Sequence, residues 1–263
     1  TSTPAPEPAP TSAVSEPTQV PALAKQYLAG EIMIRQSDNM EMAYIPASEF
    51  QMGNDNGEKN EEPAHSVYLD AYWADLNEVT NRQYVLCMEA GICNEPAEGY
   101  YDYPSLAEYP IVFVSWENAN NYCSWAGGSL PSEAEWEKAA RGTDGRLYPW
   151  GDAGFNCGVL NYDICLGNMS TVRGYPEGRS PYGLYDMAGN VWEWVADWYG
   201  ESYYINAPTS NPRGPLDGDL RVVRGGAWGQ VNHNVRTTYR NWRDPQTPLN
   251  NVGFRCVMHT EPQ

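Results

Sequence analysis

Between Met40 and Gly142 the apolar positions fall into short, well-punctuated runs. Met42-Ala-Tyr-Ile-Pro46 and Glu49-Phe-Gln-Met-Gly53 read as two strands around a turn, and Val67 to Trp73 alternates as a third. Asn54 to Glu62 between them is polar and acidic, a loop. Three helices are announced by their caps. Thr80 with Gln83 forms a capping box that opens a helix ending near Gly91. Ser115 caps a second helix, which runs to Gly127, and Ser132 with Glu135 opens a third that stops at Gly142. Beyond Gly142 no period holds. Short apolar pieces alternate with Gly, Pro, Asn and Asp for about 110 residues. Irregular chain of that length inside a domain calls for extra fixings, such as disulfides or bound ions.

The other end of the chain has no pattern at all. Its opening, TSTPAPEPAPTSAVSEPTQVPALAKQYLAG, is rich in Pro, Ala, Ser and Thr and has no aromatic before Tyr27. Such a stretch cannot bury enough apolar surface to offset its ordering entropy. Residues 1–39 are therefore expected to be a disordered linker, and 40–263 the domain. A linker in this place implies a tether to another domain or to an anchor.

Charge narrows the range of partners. The chain carries 34 Asp and Glu against 16 Lys and Arg, a net charge of -18. No basic cluster offsets it, so nucleic acid is not expected as a partner. Cations are favoured, although acidity also serves solubility alone. No apolar run approaches the roughly 20 residues that span a bilayer, so no membrane insertion is expected of this chain. The aromatics are 10 Trp and 19 Tyr with only 4 Phe, and rings with a polar handle suit a loop-rich fold. Six cysteines permit three disulfides. Cys87 and Cys93 bracket the end of the first helix, and Cys157 and Cys165 bracket a Gly/Asn-rich loop. Both spacings close short loops and suit an oxidised, extracytoplasmic protein. The alternative, six free thiols in a cytosolic protein, lacks any CxxC metal spacing to explain them.

A set of collinear motifs goes further. They are Tyr44-Ile-Pro-Ala47, Phe50-Gln-Met-Gly53, Glu78-Val-Thr-Asn81, Val114-Ser-Trp116, Tyr122-Cys-Ser-Trp-Ala-Gly127, Leu130-Pro-Ser-Glu-Ala-Glu-Trp-Glu137, Tyr148-Pro-Trp-Gly151, Tyr182-Gly-Leu-Tyr-Asp-Met-Ala-Gly-Asn-Val-Trp-Glu-Trp194, Arg224-Gly-Gly-Ala-Trp228 and Val252-Gly-Phe-Arg-Cys256. Over roughly residues 40–258 the chain resembles the formylglycine-generating-enzyme, or sulfatase-modifying-factor, family. The resemblance implies an α+β fold, an irregular C-type-lectin-like one with little regular secondary structure. It also implies a disulfide between Cys123 and Cys256. Active members oxidise a cysteine of sulfatases to formylglycine with copper held by two cysteines. Those positions fall here on Gln230 and Val235. An amide and an isopropyl group offer Cu(I) no soft thiolate, so copper is not expected. A related group of sulfoxide synthases carries iron on histidines of an added bundle. Here His65, His233 and His259 are the only histidines, and structural or surface roles are expected of them.

The resemblance further implies a structural calcium ion on Asp186-Met-Ala-Gly-Asn-Val-Trp-Glu193, through the side chains of Asp186 and Glu193 and the carbonyls of Gly189 and Val191. Hard oxygen ligands in irregular geometry suit Ca²⁺. The alternative is a plain turn with Glu193 on backbone amides. A second, weaker site would use Asn161 and the carbonyl of Tyr162. The family's substrate cleft maps onto residues 228–243. Trp228, Gln230, Asn232, His233, Asn234, Arg236, Thr238, Tyr239, Arg240, Trp242 and Arg243 there have the composition of a recognition surface. Alternatively, the aromatics are core and the arginines pair with the acidic body. Two function classes stay open. One is a calcium-stabilised, non-catalytic binding or sensory module for a protein, peptide or small molecule, of the kind found in bacterial signalling proteins or in retroelement-diversified variable proteins. The other is an oxidase acting on a sulfatase or another peptide.

Overall fold

The computed structural model describes residues 2–3, 26–99, 101–163, 165–230 and 232–262, and the side chains of Asn232 and His233 lie outside the described residues. In chain order the strands and helices are β1 (Ile32–Ile34), β2 (Glu41–Ile45), β3 (Ser48–Met52), β4 (His65–Leu69), β5 (Tyr72–Asp75), α1 (Asn81–Glu89), α2 (Trp116–Trp125), α3 (Glu133–Arg141), β6 (Trp192–Trp198), β7 (Arg221–Arg224), β8 (Asn241–Arg243), β9 (Val252–Phe254) and β10 (Val257–Met258), with single 3-10 turns between. One sheet runs β1-β2-β5-β10 and another β8-β7-β6-β9, and β3 and β4 form a hairpin. All pairs are antiparallel except β6 with β9.

The helices start where their caps place them. Thr80 and Ser132 each form a capping box, and the Ser115 hydroxyl accepts the Asn118 N–H. Val67 to Trp73 is not one strand. The chain breaks at Asp70-Ala71, and the halves, β4 and β5, join different sheets. Alternation cannot register that break, because apolar residues bound it on both sides.

The domain also starts earlier than Met40. β1 pairs with β2, and Tyr27 packs edge-on to Trp73 with ring centroids 4.9 Å apart. Residues 26–39 thus belong to the folded part, not to the linker expected over 1–39. Buried charge holds them as well. Arg35 is fully buried, with Asp38 at 2.6 Å and Asp75 of β5 at 2.7 Å. Of that linker, residues 1 and 4–25 lie outside the described residues.

The core has two main parts. One packs α1 and α2 against Trp192, Trp194 and Phe254. The other packs α3 against the β3–β4 hairpin and the β2–β5 pair. Disulfides join Cys87 to Cys93, Cys123 to Cys256 and Cys157 to Cys165, with Cα atoms 5.3, 5.5 and 5.4 Å apart. The Cys123–Cys256 bond ties α2 to the strand end beside β10, across 133 residues. Among the described residues no helix is long and apolar enough to cross a membrane.

Candidate functional site

The turn that leads into β6 is built on left-handed backbone. Asp186, Gly189 and Asn190 have φ of 57°, 79° and 59°. Gly189 is required there, since a Cβ would sit 2.3 Å from the Asn161 carbonyl oxygen. Five hydrogen bonds anchor the turn. The Gly189 N–H donates to Gly225 O and the Asn190 N–H to Asn161 O, both at 2.8 Å. The Asn190 amide donates to Glu78 Oε2 at 2.9 Å, and the Val191 N–H to Glu78 Oε1 at 3.3 Å. Asp186 Oδ2 accepts the Arg173 N–H at 2.8 Å.

Glu193, on β6, accepts the Trp136 indole N–H at 2.8 Å and two Arg255 N–H groups at 2.6 and 2.7 Å. A carboxylate has about four acceptor positions, so roughly one remains on Glu193 and more on Asp186. Charge is not balanced here. Burial pushes Asp186 up to about 6. Burial, then the neighbouring Asp186 and Glu193, pushes Glu78 well above the ordinary carboxylate range. Asp186 and Glu193 with two carbonyls therefore fit a hard cation, which would relieve that excess of negative charge. No three His, Cys, Asp or Glu side chains converge as a ready-made cluster among the described residues, so the carbonyls of Gly189 and Val191 would carry their share. Glu78 was not singled out from sequence, although it stands inside one of the motifs. Its mark there is an acid followed directly by a core valine.

The second calcium expectation falls next door. Asn161 is buried, its amide donates to Asn168 O at 2.8 Å, and its Oδ1 has no partner. An orphaned buried oxygen fits a cation ligand. Tyr162 O already accepts the Cys165 N–H at 2.8 Å.

The positions matching the family's copper cysteines hold no metal-binding chemistry. Val235 is fully buried against Leu160 and Ala188. Gln230 Oε1 accepts the Asn234 amide at 3.2 Å. All six cysteines are in disulfides. The residues present do not fit copper.

The stretch 228–243 does not form one surface. Trp228 walls a cavity of about 580 Å³ with Leu106, Val112, Phe113 and Met169. Its indole Nε1 has no hydrogen-bond partner. Phe113, on the same cavity, has φ of 58°, an outlier for a bulky residue. Two backbone hydrogen bonds, to Leu249 O and from the Ala97 N–H, hold it there. Strain of this kind, of order 1–3 kcal/mol, collects at binding sites. Tyr239 and Trp242 line a separate cavity of about 330 Å³.

Between these two places the polar residues turn inward, which corrects part of the expected ligand surface. Arg240 is 1% exposed and clamps Glu133 at 2.7 and 2.8 Å. The buried Thr238 hydroxyl donates to Glu61 at 2.6 Å, and Arg236 pairs with the same carboxylate. Asn234 is buried too. Arg243 turns to Asn241 and the Trp242 carbonyl. Buried Glu61 and α3 supply acids beneath this segment, and a guanidinium passing over them is drawn in. The side chains of Asn232 and His233 lie outside the described residues.

Comparison with known proteins follows this geometry. The sulfatase-modifying factor enzyme 1-like domain matches residues 29–260. The chain belongs to this family. It is 36% identical over 239 residues to the serine/threonine-protein kinase pkn1 of Chlamydia pneumoniae, covering 82% of this chain and 38% of that protein. It thus spans well under half the length of that relative. It is 31% identical to the formylglycine-generating enzyme of Streptomyces coelicolor, over 81% of this chain and 87% of the enzyme. It is equally identical, 31%, to the inactive C-alpha-formylglycine-generating enzyme 2 of Bos taurus, over 82% and 87%. Among solved structures, PvdO of Pseudomonas aeruginosa superposes with a TM-score of 0.76 at 24% identity, over 88% of this chain and 99% of PvdO. The fold is thus the α+β, C-type-lectin-like one of this family.

Proposed function

We propose that the chain is a non-catalytic, extracytoplasmic recognition module of the sulfatase-modifying-factor family. Its turns are held by calcium, and its ligand is a protein, peptide or small molecule bound at Trp228. One observation carries this reading. Both positions of the copper pair are occupied by groups that cannot ligate Cu(I), and Val235 is sealed in the core. A relative at 31% identity is likewise named as inactive. The Trp228 cavity supplies what a binding site needs: an apolar wall, an indole N–H without a partner and a strained rim at Phe113. Calcium would be held by Asp186, Gly189, Val191 and Glu193, with Asn161 as a second point. There it would supply positive charge to a turn with surplus carboxylate. Three disulfides support an oxidising location. The match to part of a kinase supports a role as one domain of a signalling protein, tethered through the N-terminal linker.

The test is direct. The protein is incubated with copper, oxygen and a peptide bearing the Cys-x-Pro-x-Arg sulfatase motif. Mass spectrometry should show the cysteine unchanged. Conversion to formylglycine would overturn the non-catalytic reading.

A further inference from the structure

We propose that the shelf formed by Trp242 and Tyr199 is a saccharide-binding site. It is separate from the Trp228 cavity, and the two share no lining residue. Its failure would therefore leave the reading above untouched.

Trp242 stands on β8, at the edge of the β8-β7-β6-β9 sheet. Tyr199 covers one face of its indole, with ring centroids 4.3 Å apart and planes 23° from parallel. Even so, Trp242 is 38% exposed. A large aromatic set firmly on a second ring and still open to water is a platform rather than a core residue. The cavity beside it, about 330 Å³, has room for one or two pyranose rings.

The polar groups around the shelf are of both kinds. The Asn60 amide donates to the Tyr199 hydroxyl at 3.0 Å, which fixes the phenol, and Asn60 Oδ1 has no partner. Exposed Glu58 and Glu201 bring acceptors to the rim, and exposed Lys59 brings donors. A sugar ring matches this set. Its axial C–H face lies on an aromatic ring, and its hydroxyls both donate and accept.

Charge and the basic side chains in place separate the competing ligands. An anion would approach a body of net charge -18. A cation would share the shelf with basic side chains already in place. The Arg240 guanidinium lies 5.3 Å from the Tyr199 centroid, Arg236 lies 5.6 Å from that of Tyr239, and Lys59 stands at the rim. Arg240 itself is neutralised by Glu133, so it adds no net charge to the floor. A neutral polyhydroxylated ligand has nothing to overcome.

The protein is applied to an array of neutral oligosaccharides covering the gluco, manno, galacto and N-acetylhexosamine series. Any sugar retained is then titrated by calorimetry. At least one series should bind, and Trp242→Ala should weaken it about tenfold or more. Glu201→Ala should weaken it by a smaller factor, with an unchanged melting temperature, which keeps the test open if Trp242→Ala lowers stability. Trp228→Ala should leave saccharide affinity as it is. Absence of binding across the array, equal affinity in the folded Trp242→Ala and Glu201→Ala variants, or retention of tetramethylammonium alone would overturn the proposal.

Discussion

Two charged regions of this domain are buried to the same degree and solved differently. On α3, Glu133 and Glu137 each meet guanidiniums, while Glu135 pairs with His259. Glu133 takes Arg224 at 2.9 Å and Arg240 at 2.7 Å, and Glu137 takes Arg224 at 2.7 Å and Arg141 at 2.9 Å. Burial works against the Glu133 carboxylate, yet Arg240 and Arg224 together hold it below its ordinary value. At the turn before β6 three acids, Glu78, Asp186 and Glu193, share chiefly Arg255, while the Arg173 guanidinium goes to Glu41. There burial wins, and both Glu78 and Asp186 are pushed up. The paired acids of the first region, Glu133 and Glu137, form a closed set. The second is complete only with a proton or a cation. Buried charge by itself thus says little about function, whereas unmatched buried charge points to a ligand.

Breaking the closed region should produce the largest effect. Glu133→Ala leaves two buried guanidiniums without their shared carboxylate, and a broken buried pair of this kind costs about 3–5 kcal/mol. Urea unfolding should show the unfolding free energy fall by that amount, as a lower midpoint at an unchanged slope. A loss under about 1 kcal/mol would mean that the α3 lattice is not a mutually dependent unit.

Asp197 sharpens the contrast from inside the same lattice. It accepts the Glu133 N–H at 2.8 Å but faces no guanidinium at pairing distance, and burial, then Glu133, pushes it up to about 8. Between about 4 and 8 the folded state keeps a proton that the unfolded chain has released. Stability contributed by this group is therefore lost as pH rises through that window. Asp197→Asn should match the parent in melting temperature near pH 4 and exceed it near pH 9. Parallel profiles at every pH would show that Asp197 is ionised in the fold. The smallest effect belongs to the exposed Arg82–Glu108 pair at 3.0 Å, with side chains 64% and 52% exposed. Arg82→Ala should change stability by about 0–1 kcal/mol, less still in high salt.

Local signals carried the helices. A cap such as Thr80 with Gln83 is a statement about a single turn of backbone and needs no tertiary context. The start of the domain was not legible, because residues 35–39 are polar in sequence and are held by Arg35 bridging Asp38 to Asp75 across 40 residues. A search for apolar periodicity passes over such an anchor. The recognition stretch was legible by composition alone. Trp228 and Trp242 do line cavities, but Arg240 and Thr238 point to acids on α3 and at Glu61, which lie over 100 residues away in sequence. Glu78 was hidden for the same reason, since its partners Asn190 and Val191 come from the far half of the chain.

The incomplete region can be tested most directly by thermal unfolding of the parent protein and of Asp186→Ala, each in calcium and in EDTA. An ion bound only by the folded state adds about 2.7 kcal/mol at a hundredfold excess over its dissociation constant. The parent should melt clearly higher in calcium than in EDTA, and Asp186→Ala should lose most of that difference. Superimposable parent curves in calcium and in EDTA would contradict the cation, and would leave the turn before β6 balanced by protons alone.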